Sequence, residues 1–125
     1  MKASVPISEA ESVVMNVLWQ KSPIATEEIV AALSHREWKA STIKTLLNRL
    51  LKKGAIKAQR DGRRFLYSPV MKRERWLLDE STSLLDRVFG GRVAPLVAHF
   101  SRTRKLSKRD VEELKLLIKE FDDGR

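Results

Sequence analysis

Hydrophobic positions along the chain follow two rhythms. Ala10, Val13, Val14, Val17 and Leu18 recur at helical spacing, and Ile29, Val30 and Leu33 do so again beyond Pro23. A third set, Ile43, Leu46, Leu47 and Leu50, makes one stripe at i, i+3, i+4 and i+7, leaving Thr42, Lys44, Thr45, Asn48 and Arg49 on the remaining surface. After Gly54 the period shortens. Ala55 to Arg60 and Arg63 to Ser68 are short runs around Asp61-Gly62, a two-residue hairpin signal, with Phe65 and Tyr67 on one face of a half-buried strand. Beyond Pro69 the helical spacing returns and persists to the end.

Local signals mark where these elements begin and stop. Ser8-Glu9-Ala10-Glu11 has the form of a capping box, and Pro23 stops the first helix soon after Trp19. Thr26 serves as N-cap of a second helix ending near His35, with Glu27 and Glu28 favouring its dipole, and Arg36 to Ala40 is a polar turn containing Trp38. Ser41 caps the third helix, which Lys52, Lys53 and Gly54 close. Three more helices are expected: about Lys72 to Phe89, Arg92 to Phe100 after Gly90-Gly91, and Lys108 to Asp122 behind an N-cap at Ser107. In the last, Val111, Leu114, Ile118 and Phe121 form a seam suited to a partner helix. The fold class predicted is mainly α with a small β-hairpin wing: a winged helix-turn-helix over residues 1–70, then a helical dimerisation domain over 71–125.

Charge changes this picture because of where it lies. Of a formal net charge of +9, residues 36–75 hold thirteen Lys or Arg against Glu37, Asp61 and Glu74, while the flanking segments nearly balance. A concentrated cationic block is how a protein meets a polyanion, nucleic acid or acidic membrane. Its arrangement favours nucleic acid: a helix fits the major groove, short polar side chains on its free face reach base edges, and cations hold phosphates. Taken singly, the second and third helices also read as ordinary core helices; it is the order of elements, together with the basic hairpin, that selects DNA contact. The candidate contacts are Ser41, Thr42, Lys44, Thr45, Asn48, Arg49 and Lys52 on the third helix and Arg60, Arg63 and Arg64 on the hairpin.

The chain has no cysteine, which removes disulfide frameworks, thiolate metal sites and cysteine nucleophiles and suits a reducing cytoplasm. Met1 to Pro6 carry no apolar run of a secretory signal, and no stretch approaches a bilayer span, so a soluble, cytoplasmic protein without membrane insertion is expected. His35 and His99 lie far apart with no carboxylate spacing that suggests a metal or a nucleophile-base pair; no metal, cofactor or catalytic site is expected. Trp19 reads as core, and Trp38 and Trp76 as core or interface anchors.

The chain resembles the penicillinase repressor (BlaI/MecI) family of bacterial winged-helix regulators. The likeness runs through Ile7-Ser8-Glu9-Ala10-Glu11, Val14-Met15-Asn16-Val17-Leu18-Trp19, Glu28-Ile29-Val30, the block Thr42 to Gly54, Phe65-Leu66-Tyr67-Ser68, Phe89-Gly90-Gly91 and Leu96-Val97. The resemblance implies a homodimer that binds a pseudo-palindromic double-stranded DNA operator and blocks transcription. Ser41, Thr42, Lys44, Thr45 and Arg49 fall at its helix-three contacts, and Arg63 and Arg64 on its wing. Family operators are built on TACA and TGTA half-sites, and Ala40 and Ser41 stand where some members are charged, a departure that bears on operator preference. The resemblance also implies a membrane sensor protease as partner. Members paired with one are cut at an Asn-Phe bond in the C-terminal domain, and here His99-Phe100 stands in that context as the candidate for inactivating cleavage. Copper-responsive relatives use cysteine ligands, which this chain lacks.

The C-terminal apolar residues outnumber what short helices can bury against a small domain. Dimerisation is therefore assigned to Trp76, Leu84, Leu85, Val88, Phe89, Leu96, Val97, Phe100, Leu114, Leu117, Ile118 and Phe121. Three rival functions differ in what they require. A non-specific architectural DNA- or RNA-binding protein would discriminate sequence weakly. A protein-binding adaptor would leave the basic face incidental. An enzyme would need a convergent polar set that no spacing here supplies.

Overall fold

A computed structural model of the chain describes residues 5–124; Met1 to Ser4 and Arg125, and with them most of the segment searched for a secretory signal, lie outside the described residues. The elements run α1 (Glu9–Gln20), β1 (Ile24–Ala25), α2 (Thr26–Ala32), α3 (Ala40–Lys53), β2 (Ile56–Asp61), β3 (Arg64–Pro69), α4 (Arg73–Val88), α5 (Val93–Arg102) and α6 (Lys108–Asp123). They belong to two compact units, one running to Glu80 and one beginning at Ser81, within α4.

The start of α1 follows its capping box. The Glu11 amide donates to Ser8 Oγ at 3.0 Å, and the Ser8 amide donates to Glu11 Oε1 at 2.7 Å. Two other helix starts differ from expectation, that of α2 by one residue and that of α3 by two. The residue ahead of α2 is Ala25, not Thr26, and its amide donates to Glu28 Oε1 at 3.3 Å. The reason is β1: Ile24 and Ala25 are committed to pairing with Tyr67 and Leu66, so the chain turns helical directly after them. For α3 the capping residue is Lys39, with no side-chain cap, and Ser41 is already helical, its carbonyl accepting the Thr45 hydroxyl at 3.0 Å. α2 ends at Ala32, earlier than predicted, because Leu33 to Arg36 form a tight turn.

β1, β3 and β2 make an antiparallel sheet in that order, so β3 is the central strand. The hairpin turn is Gly62-Arg63, one residue later than Asp61-Gly62, since Asp61 pairs with Arg64. Gly62 sits at φ +64°, and Arg63 is not among the positive-φ residues. That is the sign pattern of a type II′ turn, which wants Gly at its first central position; a turn centred on Asp61-Gly62 would need the left-handed region at Asp61 or lose the glycine's place. Phe65 lies near the hairpin tip and is 45% exposed rather than half-buried, while Tyr67, two residues on, packs against the core.

The core of the first unit is built from Val14, Met15 and Leu18 of α1, Ile29 of α2, the α3 stripe Ile43, Leu46, Leu47 and Leu50, and Ala55 and Ile56. Each fully covered aliphatic side chain contributes about 1.5–3 kcal/mol relative to exposure. Gly54 in the left-handed region (φ +75°) ends α3 and releases the chain into β2. The first turns of α4 belong to this unit: the Trp19 indole donates to the Met71 carbonyl at 2.8 Å and its ring lies 5.3 Å from that of Trp76. In the second unit α6 begins at a capping box, with Ser107 Oγ accepting from Asp110 at 3.0 Å. No described residue of α4, α5 or α6 is fully buried. Among the described residues no helix is long and apolar enough to cross a membrane.

Candidate nucleic-acid interface

Burying one stripe of α3 forces the opposite side of the helix outward. Ser41, Thr42, Lys44, Thr45, Asn48, Arg49 and Lys52 are all exposed, and among the described residues the cations Lys44, Arg49 and Lys52 make no salt bridge. Hydroxyls, an amide and three cations are thus presented together on one rigid helix. Such a face can hydrogen-bond base edges from its short side chains and phosphates from its long ones.

The wing adds Arg60, Arg63 and Arg64, all exposed but not equivalent. Arg60 folds back, its Nε donating to the Gly62 carbonyl at 3.2 Å and its guanidinium 5.5 Å from the Phe65 ring centroid. Arg64 lies between the carboxylates of Asp61 (3.4 Å) and Glu27 (3.6 Å). Arg63 makes no salt bridge among the described residues. A groove of about 460 Å³ runs between α2, the start of α3 and the wing, with Lys44, Arg63 and Arg64 on its walls and Val30 and Phe65 among its apolar lining.

The far end of α3 is anchored by an interaction that spacing did not suggest. Lys53, read as a dipole-compensating cation, reaches across to Glu11, Nζ to Oε1 at 2.6 Å, and Glu11 is 1% exposed. Burial pushes the Glu11 carboxyl up, but the Lys53 hydrogen bond and charge and the Ser8 amide outweigh it and hold it below the ordinary carboxylate range. Glu28 is likewise held low by Lys21 at 3.1 Å and the Ala25 amide. In the sequence Glu11 reads as a capping-box residue and Glu28 as a first-turn charge favouring the helix dipole; their cationic partners lie forty-two and seven positions away.

Trp38 is half-buried against the first unit's core with the Arg36 guanidinium 4.9 Å from its ring. Trp76, assigned above to dimerisation, packs against the same core. The other residues of that assignment lie in the second unit: Leu84, Val88, Phe100, Leu117, Ile118 and Phe121 are exposed, and Leu85, Phe89, Leu96, Val97 and Leu114 are half-buried. Between α5 and α6 is a groove of about 230 Å³ lined by Leu96, Val97, Phe100, Leu114 and Leu117. His99 and Phe100 are exposed within α5, where the Thr103 amide donates to the His99 carbonyl and the Lys105 amide to that of Phe100.

Three short helices, a three-stranded sheet and an exposed polar and cationic third helix beside a basic hairpin define the class: a winged-helix module of the nucleic-acid-binding type, followed by a helical segment. The chain belongs to the penicillinase repressor family, whose model matches residues 7–120. It is 36% identical over its whole length to the penicillinase repressor of Bacillus licheniformis, covering 98% of that protein, and 32% identical over 94% of its length to the penicillinase repressor of Staphylococcus aureus, again covering 94%. Among solved structures it is similar to the B. licheniformis BlaI monomeric form in complex with the blaP half-operator. There the TM-score is 0.53 at 42% identity, over 60% of this chain and 93% of that one.

Proposed function

We propose that the chain is a cytoplasmic transcriptional repressor, without enzymatic activity, that binds a pseudo-palindromic double-stranded operator as a homodimer. One observation carries this reading: every polar and cationic residue on the free side of α3 is exposed, and the wing's arginines stand beside it. In the complex α3 enters the major groove, where Thr42, Thr45 and Asn48 meet base edges, Lys44 and Arg49 meet bases or flanking phosphates, and the wing follows the backbone. The related BlaI bound to its half-operator supports the same docking here.

Exposed Leu117 and Ile118 on α6 support self-association through the second unit. Two-fold symmetry then presents two copies of α3 to half-sites one helical turn apart or a multiple of it. Occupancy of the operator excludes polymerase. Release by a membrane sensor protease would act at His99-Phe100, and the C-terminal end of α5 must open first, since both carbonyls accept hydrogen bonds that close it, from Thr103 and Lys105.

Anisotropy titration against a duplex from the protein's own upstream region and a shuffled duplex, at about 0.15 M salt, tests the reading. A preference of order a thousandfold or more, reached with two chains per site, is expected. Near-equal binding that weakens in parallel as salt rises would replace it with the non-specific architectural reading.

A further inference from the structure

The two neighbouring glutamates at the start of α2 have different employment. Glu28 is structural: it accepts the Ala25 amide at 3.3 Å and pairs with Lys21 at 3.1 Å. Glu27 caps nothing. Its side chain, 68% exposed, points into the groove between α3 and the wing, where Oε1 lies 3.6 Å from Nη1 of Arg64. Nε of the same guanidinium lies 3.4 Å from Asp61 Oδ2, so one cation is shared by two anions.

We infer that Glu27 is an anionic competitor for Arg64 that sets how tightly the wing holds phosphate. The inference rests on the DNA-binding reading above. A phosphodiester entering the groove meets Lys44 and Arg63, which make no salt bridge among the described residues, but at Nη1 of Arg64 it competes with Glu27 and lies beside that carboxylate. Exposed ion pairs are weak, so the contact is one that a phosphate can exchange rather than a lock. The cost of that exchange falls on every duplex, whatever its sequence, and limits affinity where phosphate neutralisation is the main attraction.

The test uses the full chain, a shuffled duplex and an operator duplex, titrated by anisotropy across about 0.05–0.2 M salt. Glu27→Gln is expected to tighten shuffled-duplex binding by about threefold to tenfold and to steepen the slope of log affinity against log salt by about one. Adding Arg64→Gln to Glu27→Gln should remove that gain. Glu9→Gln, in the first turn of α1, changes the net charge equally and should yield no comparable gain. Thermal melts confirm that the variants fold. Binding by Glu27→Gln that is unchanged or weaker, or an equal gain in Glu9→Gln, overturns the inference while leaving the repressor reading intact. A wild-type chain that holds neither duplex overturns both.

Discussion

α3 and α6 carry the same kind of apolar stripe and meet opposite fates. In α3, Ile43, Leu46, Leu47 and Leu50 are at most 4% exposed, covered by α1, α2 and the sheet. In α6, Val111 is 38%, Leu117 59% and Ile118 61% exposed, although the helix is longer and better capped. Periodicity therefore states that a face will be covered, not by what. The first unit supplies the cover within the chain, so its polar face is free for a ligand. The second unit leaves its apolar face open, as a surface that awaits another chain would.

The comparison breaks most visibly in the core. Leu50→Ala removes a fully covered side chain from the buried stripe of α3 and should destabilise the first unit by about 2–5 kcal/mol in urea unfolding, whereas Leu116→Ala on exposed α6 should cost under about 1 kcal/mol. If the α6 face is the self-association surface, Ile118→Glu should weaken the dimer about a hundredfold or more in sedimentation equilibrium while leaving the melting of the first unit in place. An unchanged dimer constant would remove α6 from the interface.

The α3 face sharpens the comparison from the other side. Arg49→Ala should lose roughly 1–3 kcal/mol of operator affinity with little loss of stability, because the residue is exposed. A smaller effect is expected at the anchored end of α3. The Glu11 carboxyl titrates below its unfolded value, so the stabilisation it provides is complete above the unfolded pKa, about 4.5, and is lost as pH falls through the folded value. Glu11→Gln should cost on the order of 1–2 kcal/mol at neutral pH and flatten the acid limb of a stability profile recorded below about pH 5. A profile as steep as wild type would assign that limb to other carboxylates.

Much of the candidate site was legible because it depends on one-dimensional spacing. The free face of α3 follows once Ile43, Leu46, Leu47 and Leu50 are known to face inward, and the capping box at Ser8 and the N-cap at Ser107 involve residues at most three apart. What spacing could not supply were the partners. Arg60, Arg63 and Arg64 are three equivalent cations in a charge count, yet one is folded onto Phe65, one is clasped by Asp61 and Glu27, and one is unpaired among the described residues. Strand β1 has no signature in the sequence because two residues carry no alternation, and its pairing with β3 places the cap of α2 at Ala25.

The amino-acid sequence by itself determined the helices, the existence of the hairpin, the cationic block and the family, since each rests on residues near one another along the chain or on their identities alone. Only the tertiary structure decided that the hairpin turns at Gly62-Arg63, that Trp76 joins the core with Trp19, that Lys53 ties α3 to Glu11, and which cations remain available. The physical reason is common to all four. Turn register, ring packing and ion pairing are settled by distances of a few ångströms between groups whose separation in sequence carries no information about them until the core has closed.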